Sequence, residues 1–249
     1  MIILKRPEEI EKIKKSNIIV ADILSALKEK IRPGVTTLEL NRHAEELANK
    51  KGAKPAFKGY RGYPFALCTS VNSEVVHGMP SNRVLRSGDI ISLDFGAYYQ
   101  GYYGDAAITV PVGDIEEKAR LLLETTEQSL QDGILQARAG DRLGNISAAV
   151  QSRVEAAGFS VVRDFVGHGI GKSLHEEPQV PNYGVSGRGV ELKSGMVLAI
   201  EPMVNAGTYK VRVLSDGWTV VTEDGQLSAH FEHTVAITDE GPVILSLRN

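Results

Sequence analysis

Five residues have side-chain types and surroundings that could support catalysis or metal binding. Four are carboxylates that lie in or directly after apolar, strand-like segments, and one is a histidine flanked by glycines. They are Asp94, Asp105, His168, Glu201 and Glu232. A buried carboxylate needs a compensating partner, and the small neighbours of the histidine let a ligand approach the backbone closely. Together they predict a site that binds a cation.

Asp94 and Asp105 are predicted to face each other across a β-hairpin. Residues 90–96 and 102–110 have strand composition, and residues 98–101 form a turn between them. With the turn centred on its two middle residues, Asp94 pairs directly with Asp105. Opposed side chains have Cβ atoms about 5 Å apart, and like charges there are destabilising. A metal cation is the simplest counter-charge; the alternative, a solvated face, is disfavoured because the flanking residues are apolar.

Glu201 and Glu232 are predicted to be the second pair of carboxylates. Glu201 ends the apolar run 196–200, and Glu232 lies in the strand-like segment 231–237. His168 is expected to follow a strand at residues 160–166. Four carboxylates balance two divalent cations, which bridging carboxylates hold ~3.5–4 Å apart, where they acidify a shared water. An oxygen-rich set with one imidazole favours Mn, Co or Fe(II) over a thiolate-type zinc site.

The chain repeats its own plan at an offset of about 106 residues. A helix after Pro7 and a helix at residues 37–51 correspond to helices at residues 116–138 and 143–158. The segment 85–94 matches the segment 192–201, which makes Asp94 and Glu201 equivalent. The repeat predicts an α+β fold in which helices pack on a curved, mostly antiparallel sheet. We expect residues 1–249 to form one catalytic domain with pseudo-symmetric halves, approximately 1–114 and 115–249, and the site at their centre.

Composition excludes several classes of protein. The 249 residues carry a formal net charge of −3, which gives no electrostatic reason to bind nucleic acid or an anionic membrane. The single cysteine, Cys68, allows no intrachain disulfide. No apolar stretch approaches the ~20 residues needed to span a bilayer. We therefore expect a cytoplasmic protein.

A nucleotide-binding module is a rival interpretation of the glycine-rich segment 167–173. The Walker A pattern needs a glycine at Val166, and the dinucleotide pattern needs one at Lys172. Both patterns fail by one residue, so this interpretation is disfavoured.

At these residues the sequence resembles the type I methionine aminopeptidases of the short bacterial kind. The resemblance covers essentially the whole chain, and its motifs are specific in combination. They are Lys58-Gly59-Tyr60, Cys68-Thr69-Ser70-Val71-Asn72, Val76-His77-Gly78, Leu93-Asp94-Phe95-Gly96, Gly104-Asp105, Val166-Gly167-His168-Gly169-Ile170-Gly171, His175-Glu176-Glu177-Pro178, Ile200-Glu201-Pro202 and Phe231-Glu232-His233-Thr234.

The resemblance implies the pita-bread fold and removal of the N-terminal methionine from nascent proteins and peptides. It implies two divalent metal ions per chain, with Co, Mn, Fe(II) or Zn as candidates. Asp94, Asp105, His168, Glu201 and Glu232 would be the ligands, with Asp105 and Glu232 bridging. Among the catalytic residues, Glu201 would accept the proton from water, while His77 and His175 would contact the substrate. Tyr60, Tyr63, Cys68 and Trp218 would line the substrate pocket. A monomer that works near the ribosome is expected on the same basis.

Two further alternatives share this fold. One is a proline-specific exopeptidase, whose members usually carry an additional N-terminal domain. The other is a non-catalytic binding protein, in which metal ligands are lost. The chain retains all five residues that the resemblance assigns as ligands, and both alternatives therefore rank lower.

Overall fold

Two pairs of α-helices alternate with the strands along the chain. The computed structural model describes residues 1–248, and its helices are Pro7–Lys28 (α1), Thr37–Lys50 (α2), Glu117–Leu135 (α3) and Leu143–Ala156 (α4). The predicted helices are confirmed, although they end up to three residues earlier than expected. A capping box starts α2, where Thr36 and Glu39 each accept the other's backbone N–H. Across residues 1–248, none of the helices combines the length and apolarity that crossing a membrane requires.

Antiparallel strands build one large sheet and two small ones. The strands are Lys54–Pro55 (β1), Cys68–Val71 (β2), Ile90–Tyr99 (β3), Tyr102–Pro111 (β4), Ser160–Val161 (β5), Gly167–Gly169 (β6), Glu176–Val180 (β7), Val197–Ile200 (β8), Met203–Asn205 (β9), Val211–Val213 (β10), Val220–Thr222 (β11), Ser228–His230 (β12), Glu232–Thr238 (β13) and Gly241–Ile244 (β14). The large sheet has the order β1-β3-β4-β13-β8-β6-β7, with β2 beside β3 and β14 beside β13. The smaller sheets are β12-β9-β5 and β10-β11. The predicted α+β class is confirmed.

The helices cover one face of the large sheet. Leu93 and Phe95 of β3 are fully buried in a core with α1 and α2. Leu198 and Val235, on β8 and β13, are buried in a second core with α3 and α4. Because successive strand residues point to opposite faces, the residues that alternate with these face the other side. That side carries the chemically active residues.

The predicted register of the β3–β4 hairpin is wrong by two residues. Asp94 lies opposite Ala107, and Asp105 lies opposite Gly96. The turn consists of Gln100 and Gly101, both in the left-handed region with φ of 50° and 89°. A two-residue hairpin loop favours positive φ at both positions, and Gly101 meets that need at no steric cost. A slip of two residues keeps both aspartates on one face, as diagonal neighbours.

The predicted strand at residues 160–166 is also largely wrong. Only Ser160 and Val161 pair with β9 as a strand, and Val162 adds one hydrogen bond to Met203. The exposed residues Arg163 and Asp164 then bend the chain. His168 lies on the separate strand β6, inside the large sheet.

Glycines adopt matching conformations at equivalent places in the two halves. Gly34 and Gly140 have φ of 96° and 90°, and Gly52 and Gly158 have φ of 69° and 81°. Each pair follows the same helix of its half at the same offset. The origin of this repeat by duplication stays a prediction.

A buried ion pair ties the N-terminal segment to the first residue of β7. Lys5 Nζ lies 2.7 Å from Glu176 Oε2, and the two side chains are only 4% and 7% exposed. The Lys5 backbone N–H also donates to Gly195 O at 2.7 Å. The other carboxylate oxygen of Glu176 accepts the Ser173 backbone N–H at 3.1 Å. This pair therefore supports the loop that carries His175.

Lys5→Met should lower the free energy of unfolding by about 3–5 kcal/mol, because it leaves the Glu176 charge buried without a partner. Arg153→Met is the matched control, since the Arg153–Asp132 pair is as short, at 2.6 Å, but 48% exposed at the arginine. We expect it to cost less than about 1 kcal/mol. The double variant Lys5→Met/Glu176→Gln should regain most of the loss. Denaturant unfolding measures all three, and equal small losses in both single variants would contradict the prediction.

Candidate metal centre and active-site pocket

The acidic residues lie in two adjacent rows on the face of the large sheet that the helices leave free. In the first row, directly opposed residues on β2, β3, β4 and β13 are Cys68, Asp94, Ala107 and Glu232. Opposed residues of antiparallel strands point to the same face, so three functional groups converge there. Glu201 directly follows β8, whose last residue Ile200 pairs with His233, and it extends this row.

The second row lies two residues further along the strands. It contains Gly96 opposite Asp105, and His168 opposite Ala199, which is in turn opposite Thr234. Thr234 Oγ1 donates to Asp105 O at 2.8 Å and joins the two segments. Small residues occupy the positions between the acids. Ala107 and Ala199 therefore leave space above the sheet for the longer carboxylate side chains.

The predicted ligands come close enough to share cations. Ligand atoms of Asp105, His168 and Glu232 all lie within 4.8 Å of one another. His168 Nε2 lies 3.5 Å from Glu201 Oε1. These four residues and Asp94 line one cavity of about 160 Å³. The structure thus brings together all five residues that the sequence predicted.

The bonding state of these side chains fits a divalent metal. Among residues 1–248, Asp94 Oδ1, Asp105 Oδ1 and Glu232 Oε1 are buried without any hydrogen-bond partner. Such orphaned atoms are costly unless something else satisfies them. His168 Nδ1 lies 2.9 Å from the carbonyl oxygen of Gly169, so this nitrogen donates and Nε2 keeps its lone pair. That is the arrangement of a metal-ligating histidine.

Burial dominates the electrostatics of this cluster. It raises the pKa of Asp94 to about 7 and that of Glu201 to about 8. It also raises the pKa values of Asp105 and Glu232 well above the usual range, with neighbouring carboxylates adding to the effect. Burial lowers the pKa of His168 to about 3 and keeps the imidazole neutral. Without a cation, the cluster therefore favours protonated carboxyl groups near neutral pH.

The wall of the cavity contains all six residues predicted to contact the substrate. They are Tyr60, Tyr63, Cys68, His77, His175 and Trp218, and Phe57 and Leu174 extend the wall. Tyr63 packs edge-on against Trp218, with ring centroids 5.1 Å apart. Burial raises the pKa of Cys68 well above its usual value. The thiol therefore stays protonated and acts as a small apolar group.

Two histidines approach the cavity from opposite halves of the chain. His175 Nδ1 lies 2.8 Å from Tyr60 Oη, and its ring lies 4.2 Å from that of His168. His77 has the left-handed φ of 59° and packs edge-on against Phe165. Burial lowers the pKa of both residues to about 4. Both imidazoles are therefore neutral and can donate one hydrogen bond each.

Arg61 lines the cavity and was missed by the sequence reasoning. Its backbone adopts a left-handed φ of 49° between Gly59 and Gly62, which also have positive φ. Its guanidinium lies 5.4 Å above the centre of the Tyr60 ring. No periodicity or motif marks this arginine, and only the two flanking glycines indicate a special backbone there.

An antiparallel sheet carries helices on one face and an acid-rich candidate cation site on the other. This is the arrangement expected of a metal-dependent hydrolase of the pita-bread fold. Residues 11–239 match Peptidase_M24, the metallopeptidase family M24. The chain belongs to this family, which uses divalent metal ions.

Relatives with known names agree with this assignment. The chain is 56% identical over 247 residues to a methionine aminopeptidase of Clostridium perfringens, and the match covers 99% of each chain. A crystal structure of a methionine aminopeptidase from Thermotoga maritima is similar with a TM-score of 0.98 and 50% identity, covering 100% of both chains. A prolidase from Pyrococcus furiosus is similar with a TM-score of 0.80 and 27% identity, covering 99% of this chain and 66% of that one.

The metal-free protein should lose stability as the pH rises from about 7 to about 8, a range in which the histidines are largely neutral in both the folded and the unfolded protein. Asp94 and Glu201 have folded-state pKa values raised to about 7 and 8, so the folded protein binds more protons than the unfolded chain in this range. Each such group contributes a slope of about −1.4 kcal/mol per pH unit. Denaturant unfolding in chelator, from about pH 7 to about pH 8, measures the slope. Asp94→Asn should flatten it, and a rise in stability with pH would contradict the pKa shifts.

Proposed function

We propose that this protein is a methionyl aminopeptidase, which removes the N-terminal methionine from nascent proteins and peptides by metal-dependent hydrolysis of the first peptide bond. The observation that carries the proposal is the cavity itself. It joins five ligand-type residues to an apolar wall of Tyr63, Cys68 and Trp218. The relative from Clostridium perfringens, with 56% identity over 99% of each chain, supports the same conclusion.

The five ligand-type residues are proposed to hold two divalent cations. Asp105 and Glu232 would bridge them, Asp94 would bind one, and His168 and Glu201 would bind the other. Four carboxylates would then balance the charge of two divalent ions. The donor set has oxygen atoms and one imidazole, which suits Mn, Co, Fe(II) or catalytic Zn. When bound, two such cations would acidify a shared water and polarise the scissile carbonyl.

Side chains of the cavity would carry out the proton transfer, the hydrogen bonding and the binding of the substrate. Glu201 would accept the proton of the attacking water, because its carboxylate lies beside His168 inside the cavity. His77 and His175 would donate hydrogen bonds to the oxygen that gains charge or to the scissile amide. The apolar wall would hold the methionine side chain and exclude water. Tyr60 would keep the His175 ring oriented through their 2.8 Å contact.

The alternatives fit less well. A proline-specific exopeptidase shares the fold, and the Pyrococcus furiosus prolidase is only 27% identical to this chain. A non-catalytic binding protein on this scaffold has no need to keep five converging ligand-type residues. We further propose that residues 1–249 form one catalytic domain made of two duplicated halves. We propose that it works as a cytoplasmic monomer near the ribosome, on nascent chains rather than on nucleic acid or membrane.

A mixed-peptide assay tests the proposed function. Metal-depleted protein is loaded with Mn(II) or Co(II), offered Met-Ala-Ser and Ala-Pro-Ala together, and the free amino acids are quantified with a chelator control. We expect metal-dependent release of methionine alone. Release of alanine ahead of proline would assign the protein to the proline-specific branch. Absence of release from either peptide, with metal bound, would support the binding-protein alternative.

Replacing His77 should lower kcat by about 100-fold, the usual effect of removing one donor to a developing oxyanion. His77 has a positive φ of 59°, so His77→Ala keeps a side chain in this strained backbone conformation, whereas His77→Gly relaxes it. Equal losses in both variants would assign the effect to the imidazole. His43→Ala, on α2, is the control and should leave kcat unchanged. Unchanged kcat in His77→Gly would exclude the assigned role.

A further inference from the structure

His230 is a buried histidine beside the candidate metal centre, and the proposed mechanism does not use it. It ends β12 and is only 1% exposed. Within residues 1–248, neither ring nitrogen has a hydrogen-bond partner. An imidazole in this state loses its hydration without compensation. Some group in the assembled site must therefore satisfy it.

Three other histidines near the candidate metal centre each have a hydrogen-bond partner on one ring nitrogen. His168 Nδ1 contacts Gly169 O, His175 Nδ1 contacts Tyr60 Oη, and His233 Nδ1 contacts Ser246 Oγ, all at 2.8–2.9 Å. Each of these rings is fixed by one nitrogen, which leaves the other nitrogen for a second task. His230 has both nitrogens free for partners inside the site.

The backbone of His230 is held firmly in place. Its N–H donates to Thr109 Oγ1 at 2.9 Å, and its carbonyl oxygen accepts from the same hydroxyl at 2.7 Å. The hydroxyl of Ser92 lies a further 2.8 Å from Thr109 Oγ1. Thr109 and Ser92 belong to β4 and β3, which carry Asp105 and Asp94. The strands that carry two of the proposed ligands thus also fix the position of His230.

The ring points toward the carboxylate of Glu201. His230 Nε2 lies 3.7 Å from Glu201 Oε2, whereas His168 Nε2 lies 3.5 Å from Glu201 Oε1. The two carboxylate oxygens therefore face different imidazoles. Oε1 faces His168, a proposed metal ligand, and Oε2 faces His230, which has no part in the proposed mechanism.

We propose that His230 is a positioning residue for Glu201: its Nε2–H donates to Glu201 Oε2 and fixes the plane of the carboxylate that accepts the proton of the attacking water. This inference rests on the proposed function, because it takes the role of Glu201 from there. The contact would satisfy the orphaned nitrogen of His230 and one oxygen of Glu201 together. It would also keep Oε1 on the side of His168. Partners of ligating carboxylates commonly have this orienting effect.

Three variants separate a hydrogen bond at Nε2 from mere bulk at this position. His230→Gln places an amide N–H near the position of Nε2. His230→Asn places its amide N–H near the position of Nδ1, which does not face Glu201. His230→Leu fills much of the space and donates nothing. Circular dichroism and thermal unfolding of the metal-loaded proteins identify any variant that fails to fold.

The expected result is a change in kcat with little change in KM. His230→Leu and His230→Asn should lower kcat about 10- to 100-fold, the usual range for a partner of a ligating residue. His230→Gln should recover to within about threefold of the unmodified protein. The Kd for Mn(II), measured by calorimetry, should stay within about threefold in all variants. Equal kcat in all variants, equal loss in Gln and Asn, or a large loss of Mn(II) affinity would overturn the inference.

A readout independent of activity separates this inference from the proposed function. The visible absorption of the Co(II)-loaded protein reports the arrangement of the groups around the ion. His230→Leu and His230→Asn should shift this spectrum, and His230→Gln should restore it. A restored spectrum without methionine release by the unmodified protein would reject the proposed function and support the positioning of Glu201. Methionine release by the unmodified protein, with identical spectra in all variants, would support the proposed function and reject the positioning of Glu201 by His230.

Discussion

The repulsion among four carboxylates on one sheet face is the constraint on which the site depends. Asp94, Asp105, Glu201 and Glu232 surround a cavity of about 160 Å³, and several of their oxygen atoms are buried without partners in the described chain. A fold that needed only stability would place apolar residues there. The arrangement is favourable when cations supply the opposite charge, so metal binding and stability are linked in this protein.

The two faces of the sheet have separate roles: one packs against the helices, and the other carries the acidic residues. One face carries large apolar residues such as Phe95, Leu93 and Leu198 against the helices. The other face alternates acids with small residues, such as Gly96 and Ala107. A Cβ atom at Gly96 would lie 2.8 Å from the Phe57 ring, so this glycine lets the cavity wall approach the sheet. Close packing behind the sheet keeps the strands, and therefore the acids, at fixed spacing.

Much of the site could be predicted from the sequence, because its signals are local. An acid in an apolar strand or a histidine between glycines is visible without a structure. Because side chains alternate along a β-strand, the sequence also indicates which residues share one face of the sheet. The hairpin register was not predicted correctly, because it depends on the φ preference of Gly101 rather than on the pattern of apolar residues. The position of Arg61 in the cavity wall was not predicted, because no motif or periodicity in the sequence includes this residue. The unsatisfied ring of His230 became visible only when β12 was placed beside Glu201.

The substrate side of the pocket depends on both halves of the chain. His77 and Tyr63 come from the first half, and His175 and Trp218 come from the second half. Tyr63 contacts Trp218, and Tyr60 contacts His175, so each half orients a residue of the other. A shift of one half relative to the other would disturb both contacts and the metal ligands together. The buried pair of Lys5 and Glu176 ties the first segment of the chain to the start of β7, directly after His175, and opposes such a shift. The same contacts that join the halves therefore also hold the geometry that the proposed chemistry needs.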